Sequence, residues 1–224
     1  MNIILYIAII GDIKKSKEIE ERYVIQNKLT NVLNEINQLY CEDIEADFTV
    51  TLGDEFQGLL CRGIHVLDIL EYIQTEMEPV ELRFGIGIGK IVTPINPEQA
   101  LGADGPAYYR ARTAITKVKK REKQKQSART DIAIELDEKH NEVEALLNVA
   151  LSMIELIRDK WTVRQKEIIS DYEFHLDGQE TCAARLGIAQ STVQRSLKAG
   201  NYYLYKESKD AFNKLLEEIR SQNV

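Results

Sequence analysis

Cysteine, proline and tryptophan are scarce in this chain of 224 residues, with three, four and one copies. The cysteines, at 41, 61 and 182, form no even set and no metal-ligand spacing, which excludes a disulfide scaffold and makes a reducing cytoplasm the simplest setting. Four prolines and twelve glycines exclude collagen-like and low-complexity sequence. The longest apolar run, IILYIAII at 3–10, is less than half of the ~20 residues a membrane span needs, and no basic region precedes it. It argues against a signal peptide and for a strand. What is present, 44% hydrophobic and 29% charged residues, is the composition of a soluble globular protein with one medium or two small cores.

The net charge of −7 is unevenly placed. Residues 1–160 hold 20 Lys and Arg against 27 Asp and Glu, whereas 161–224 hold nine of each. Within the acidic part, KVKKREKQKQSAR at 117–129 carries seven basic residues and one acidic one. This asymmetry marks two modules with different partners, and a whole-chain pI near 5.2 does not exclude nucleic acid. The basic run reads either as a solvated helix extension or as a seat for phosphates of DNA or a nucleotide.

Periodicity predicts the elements. A first strand ends at Gly11-Asp12; after Ser16, which reads as an N-cap, Ile25, Leu29, Val32, Ile36 and Leu39 mark a long amphipathic helix. Phe48, Val50 and Leu52 alternate with polar residues, Gly53-Asp54-Glu55 interrupts, and 56–61 is apolar again, which predicts a hairpin with an acidic tip. Ile64, Leu67, Leu70, Ile73 and Met77 mark a second helix ended by Pro79. LRFGIGIGKIV at 82–92 is a strand whose alternating glycines admit close packing of a helix; they open no helix, so no dinucleotide loop is read there. A third helix through Tyr108, Ala111, Ile115 and Val118, a short strand at 131–136 and a fourth helix at 138–160 follow. The first six elements, β-α-β-β-α-β, spell an α+β ferredoxin-like unit, an antiparallel sheet with helices on one face.

In such a sheet the first strand lies beside the hairpin, so Asp12 and Asp54 can meet at one edge although 42 positions separate them. Two adjacent carboxylates repel unless a cation neutralises them, and Mg²⁺ suits because it takes oxygen ligands and keeps phosphate oxygens and waters in its remaining positions. A Gly-Asp taken alone reads first as a turn whose carboxylate bonds nearby amides, and it is the two together at these places that point to a metal or nucleotide site. Asp104-Gly105 precedes a helix whose N-terminal amides could receive an anion; a capping turn with Asp104 as N-cap fits the same residues. His65, His140 and His175 have no partner spacing for a metal or a triad.

IIGDI at 9–13, LGDEFQGLL at 52–60, RFGIGIGKI at 83–91 and GPAYYRAR at 105–112 resemble, in order and spacing, the four landmark segments of the class III nucleotidyl cyclase and GGDEF superfamily. More narrowly, the whole chain resembles the SatD family, small bacterial proteins with a cyclase-like region followed by a DNA-binding helix pair. The resemblance implies a nucleotidyl cyclase or palm-like fold over residues 3–136. It implies a Mg²⁺ or Mn²⁺ site with Asp12, Asp54 and the Ile13 backbone carbonyl as ligands, and nucleotide contacts at Gly53. Arg112 matches the arginine that stabilises charge on the transferring phosphate. Tyr108 stands where cyclases have an asparagine, Thr49, Val50 and Thr51 offer no cation where they have a purine-contacting lysine, and Leu52 replaces the second glycine of GGDEF proteins.

In the last part, QETCAARLGIAQSTVQRSLKAG at 179–200 follows the helix-turn-helix pattern: small Ala183, Gly187 four residues on for the turn, and Val193, Ile188 and Leu197 to fill the contact. It resembles sigma-factor region 4. Gln190, Ser191, Thr192, Gln194, Arg195 and Lys198 lie off the buried stripe, a set able to reach base edges and phosphates of double-stranded DNA. The expected organisation is a cyclase-like domain at 1–136, a connecting helix at 137–160 and an all-α helix-turn-helix domain at 161–224. The expected function is a cytoplasmic regulator, homodimeric and without a membrane segment, that binds a nucleotide with Mg²⁺ and reads DNA. Two alternatives stand beside it: an active nucleotidyl cyclase or polymerase using a nucleoside triphosphate, and a degenerate cyclase-like scaffold for protein partners.

Overall fold

The structure, a computed structural model, describes residues 4–124 and 130–221, so the end of the basic run, 125–129, lies outside it. It divides into two compact units, one of residues up to Leu151 together with those from Phe212 on, the other Ser152–Ala211. Among the described residues no helix is long and apolar enough to cross a membrane.

The first unit is built on β1 (Tyr6–Ile13), whose Ile7, Ile9, Ile10 and Ile13 are buried. Helix α1 (Arg22–Leu39) leads to β2 (Ile44–Leu52), which turns at Gly53-Asp54 into β3 (Glu55–Leu60). Helix α2 (Val66–Met77), β4 (Leu82–Gly89), α3 (Pro106–Lys123) and β5 (Ile132–Glu135) complete the sheet unit, and α4 (Asn141–Asp159) follows. The strand order is β2-β3-β1-β4-β5, with β1 antiparallel to both β3 and β4. The first six elements thus take the expected ferredoxin-like arrangement.

Two features depart from that expectation. The sheet is mixed, because β5 pairs parallel to β4 and α3 supplies the crossover that a parallel neighbour requires. Helices also cover both faces. Ala107, Tyr108, Ala111 and Ile115 of α3 pack on the face carrying Ala8, Ile10 and Leu59, whereas the buried stripes of α1 and α2 take no part in that cluster and belong to the opposite face. Gly85, Gly87 and Gly89 make α3's approach possible, since a Cβ on Gly87 would stand 2.2 Å from the Ala107 carbonyl oxygen. Ser16 does not cap α1; it opens a 3-10 turn, Ser16–Glu18, and α1 begins six residues later.

The second unit holds the end of α4 from Ser152 on, α5 (Val163–His175), α6 (Gln179–Leu186), α7 (Gln190–Ala199) and the start of α8 (Tyr202–Ser221). Thr162 and Gln165 form a reciprocal capping box at the start of α5, and Gly187 ends α6 with φ of +63°. Ile168, Ile169, Cys182, Ala183, Val193 and Leu197 are its buried centre. Trp161 donates its indole N–H to the Gly200 carbonyl at 2.7 Å and packs edge-on against Tyr205. From Phe212 on, α8 belongs to the first unit, where the Asn213 side chain accepts from the Leu67 amide at 3.0 Å and donates to Asp68 at 2.8 Å.

Arg185 of α6 forks onto Asp171 of α5, at 3.0 and 2.7 Å, and also pairs with Asp177. Its guanidinium holds both carboxyls below their usual range. A depressed native pKa contributes stability above the unfolded value near 3.8, and this is lost as pH falls through the lower native value. Arg185→Ala is therefore expected to lower the melting temperature at pH 7, with the gap from the parent chain closing below about pH 4. Thermal scans over that range check it; a gap independent of pH would mean that Arg185 acts by packing alone.

Candidate functional site

The end of β1 gathers charged side chains from four elements. Asp12 is the next-to-last residue of β1, between Glu55 of β3 and Arg83 of β4 in register, and is only 6% exposed. Its alternation with Ala8 and Ile10 points the carboxylate to the face that α3 covers. There Lys119 of α3 binds Oδ2 directly, and the Arg83 Nε stands 3.5 Å from Oδ1. Oδ1 is buried and has no hydrogen-bond partner. Burial pushes the Asp12 carboxyl up, against the pull of Lys119 and Arg83, and the charge of Asp54 adds to the rise.

Asp54 is fixed to the end of β1 by its own backbone. The Ile13 amide donates to the Asp54 carbonyl at 3.0 Å, and the Ser16 hydroxyl donates to the Asp54 carboxylate at 2.5 Å. Gly53, with φ of +63°, accepts from the Gln26 side chain at 2.6 Å, so α1 also holds the turn. Arg112, about half exposed on α3, pairs with Glu55. Next to it Arg112, Thr113, Thr116, Lys117 and Lys120 line a shallow depression of about 260 Å³. Behind the strand end Lys14, 7% exposed, meets Asp131 at 2.5 Å, Glu122 at 3.4 Å and Glu81 at 3.6 Å. Burial raises the Asp131 carboxyl, and Lys14 opposes that rise.

Asp12, Ile13, Gly53, Asp54 and Arg112 thus come together at one end of the sheet, and Asp104 and Gly105 do not join them. The N-terminus of α3 sits over Gly89, and six register positions separate the Tyr6–Gly89 pair from the Asp12–Arg83 pair, about 20 Å at the usual strand rise. Gly105, not Asp104, is the N-cap residue; the Asp104 carboxylate accepts from the Tyr109 hydroxyl at 2.7 Å. Tyr108 is turned into the core, its hydroxyl buried without a partner. Lys119, Arg83 and Ser16 are the side chains that sequence reasoning missed; a spacing of seven, two helical turns from Arg112, was the available signal for Lys119. Among the described residues no group of three or more His, Cys, Asp or Glu is placed to hold a metal, so an ion here has two carboxylates at most from side chains. His65 and His140 pair with Asp43 and Asp137, at 2.6 and 2.5 Å.

In the second unit, Gln190, Ser191, Gln194, Arg195 and Lys198 are exposed on α7 and Thr192 is half-buried, opposite the buried Val193 and Leu197. Arg195 folds back along its own helix, its guanidinium 3.2 Å from the Ser191 carbonyl and 3.4 Å from the Thr192 hydroxyl.

No curated protein matches the chain. Among solved structures, a bacterial light-regulated adenylyl cyclase is 14% identical over 58% of this chain and 75% of its own, with a TM-score of 0.42. The guanylyl cyclase domain of the RhoGC fusion protein from the aquatic fungus Blastocladiella emersonii is 14% identical over 51% of this chain and 74% of its own, at 0.39. A regulator of polyketide synthase expression from Bifidobacterium adolescentis is 14% identical over 97% of this chain and 87% of its own, at 0.28. Residues 6–216 match the SatD family, and with the match running through both units the chain belongs to that family.

Proposed function

We propose that this chain is a cytoplasmic nucleotide-responsive regulator that binds a nucleoside triphosphate with Mg²⁺ or Mn²⁺ at Asp12 and Asp54, and duplex DNA through α7. The observation that carries the reading is the buried Asp12 oxygen without a hydrogen-bond partner, beside Asp54 and next to a basic depression on α3. An oxygen without a hydrogen bond in an all-oxygen donor pair fits a hard cation, which would take the place of the Arg83 guanidinium 3.5 Å away, with waters and phosphate oxygens completing its coordination. When bound, the ion would neutralise the carboxylates and draw in phosphate. The chain's own residues do the rest: Lys119 moves between Asp12 and the incoming anion, and Arg112, Lys117 and Lys120 receive phosphate oxygens. Tyr108, buried where cyclases have an asparagine, favours binding over turnover. On α7 the exposed amides, hydroxyls and cations suit base edges and phosphates.

The test is equilibrium binding of each common nucleoside triphosphate with Mg²⁺ or Mn²⁺, with product assayed in the same tubes, for the parent chain and Asp54→Asn. Binding without product, lost in the variant, is expected. Product that disappears in Asp54→Asn would turn the reading to an active cyclase or polymerase, and no binding by the parent chain sinks it. For α7, Arg195→Ala is expected to weaken duplex binding and to reduce the salt slope by about one unit; an unchanged slope counts against the recognition helix.

A further inference from the structure

Helix α4 has two apolar faces, and only one of them is covered by the described residues. Leu147, Leu151 and Ile154 are buried, whereas Leu146, Val149, Met153 and Leu156 are 70, 52, 61 and 55% exposed. The exposed four recur at steps of three, four and three, the a/d spacing of a helix-pairing seam. Each exposes on the order of 100 Å², so together they supply about half of the ~800 Å² that each partner contributes to a standard interface. An apolar patch of that size on a monomer marks an interaction site.

The same spacing continues by one step of four at each end, to Glu142 in the first turn of α4 and to Lys160 in the turn that directly follows the helix, both exposed. These six positions are symmetric about residue 151: 142 mirrors 160, 146 mirrors 156, and 149 mirrors 153. We infer that α4 pairs antiparallel with α4 of a second copy of this chain, across a two-fold axis level with residue 151. In that arrangement each Leu146 meets Leu156, each Val149 meets Met153, and Glu142 at one end of the seam faces Lys160 of the other copy. A parallel pair would set glutamate on glutamate and lysine on lysine, so the charges choose the direction. The two-fold makes the interface isologous, which closes at a dimer. The inference is independent of the nucleotide reading, because its test contains no nucleotide.

Sedimentation of the full chain over a roughly hundredfold concentration range decides it. The parent chain is expected to reach twice the 25.7 kDa monomer mass. Glu142→Lys and Lys160→Glu should each weaken pairing by about tenfold, and the double exchange should restore it, because the opposite charges are then merely swapped between copies. A parent chain that stays monomeric, single exchanges that pair as well as the parent, or a double exchange as weak as either single would each overturn the seam. Direction is read separately by oxidation in a Cys41→Ser, Cys61→Ser background. Mixed Val149→Cys and Met153→Cys chains should form the linked heterodimer, whereas dominant links between identical positions would overturn the antiparallel arrangement. Far-ultraviolet circular dichroism equal to the parent's shows that the exchanges leave the fold intact.

Discussion

Gly87→Ala is expected to melt roughly 6–12 °C below the parent chain, a loss of about 3 kcal/mol, and to take nucleotide binding with it. The added Cβ would stand 2.2 Å from the Ala107 carbonyl oxygen and 2.3 Å from the Ala111 amide nitrogen. Both are backbone atoms of α3, so no rotamer change relieves the contact and the helix itself has to rise. Ordinary overpacking of a core costs 1–3 kcal/mol, and a clash on two backbone groups belongs at the upper end of that range. Since α3 carries both Arg112 and Lys119, lifting it also draws the guanidinium from Glu55 and the ammonium from Asp12. Differential scanning calorimetry reads the first effect and a nucleotide titration the second. A variant that melts with the parent would show that α3 rides higher on β4 than the glycine stripe implies.

That stripe was legible in the sequence because alternation on a strand is a local pattern: Gly85, Gly87 and Gly89 share one face whatever else the chain does. The same is true of the Gly53-Asp54 tip and of Asp12, which lies within β1 beside the turn that bears Asp54. What the sequence left open depends on long-range placement. Lys119 and Arg83 reach Asp12 only because α3 crosses β4 at a particular height and the β1–β4 register sets Arg83 opposite Asp12. Asp104 and Gly105 resemble an anion site locally, yet the direction of α3 sends them to the far end of the sheet. Ser16 looked like a cap because a hydroxyl before an apolar stripe serves caps and turns alike; here its proton goes to Asp54. The mixed sheet follows from β4-α3-β5 being a crossover unit, a fact of topology that strand periodicity does not encode. On α4, a 3.6-residue period that suits a buried face conceals a second stripe one position away, at 146, 149, 153 and 156, and only exposure separates the two.

Asp12→Asn is expected to reduce Mg²⁺-dependent nucleotide affinity by about 100-fold or more, a scale that loss of even an outer-shell partner reaches at its upper limit. Stability without nucleotide is expected to change by less than about 1 kcal/mol or to rise. The two effects differ because the carboxylate serves them differently. As a ligand it would supply a charged oxygen that a neutral amide replaces poorly. In the free protein the same charge is held against burial, which is why its carboxyl is pushed up, and an amide of the same shape removes that penalty. Its partners are not stranded: Lys119 is 38% exposed and can turn to water, and Arg83 still has Glu122 at 3.5 Å. Melting curves with and without Mg²⁺ and nucleotide separate the roles in one experiment, since the ligand-induced rise in melting temperature should vanish while the unliganded value holds. A variant that keeps the ligand-induced rise but melts far lower on its own would reverse the assignment. Asp12 would then be the anchor that ties Lys119, and with it α3, to the sheet, and the nucleotide would have to be held without it.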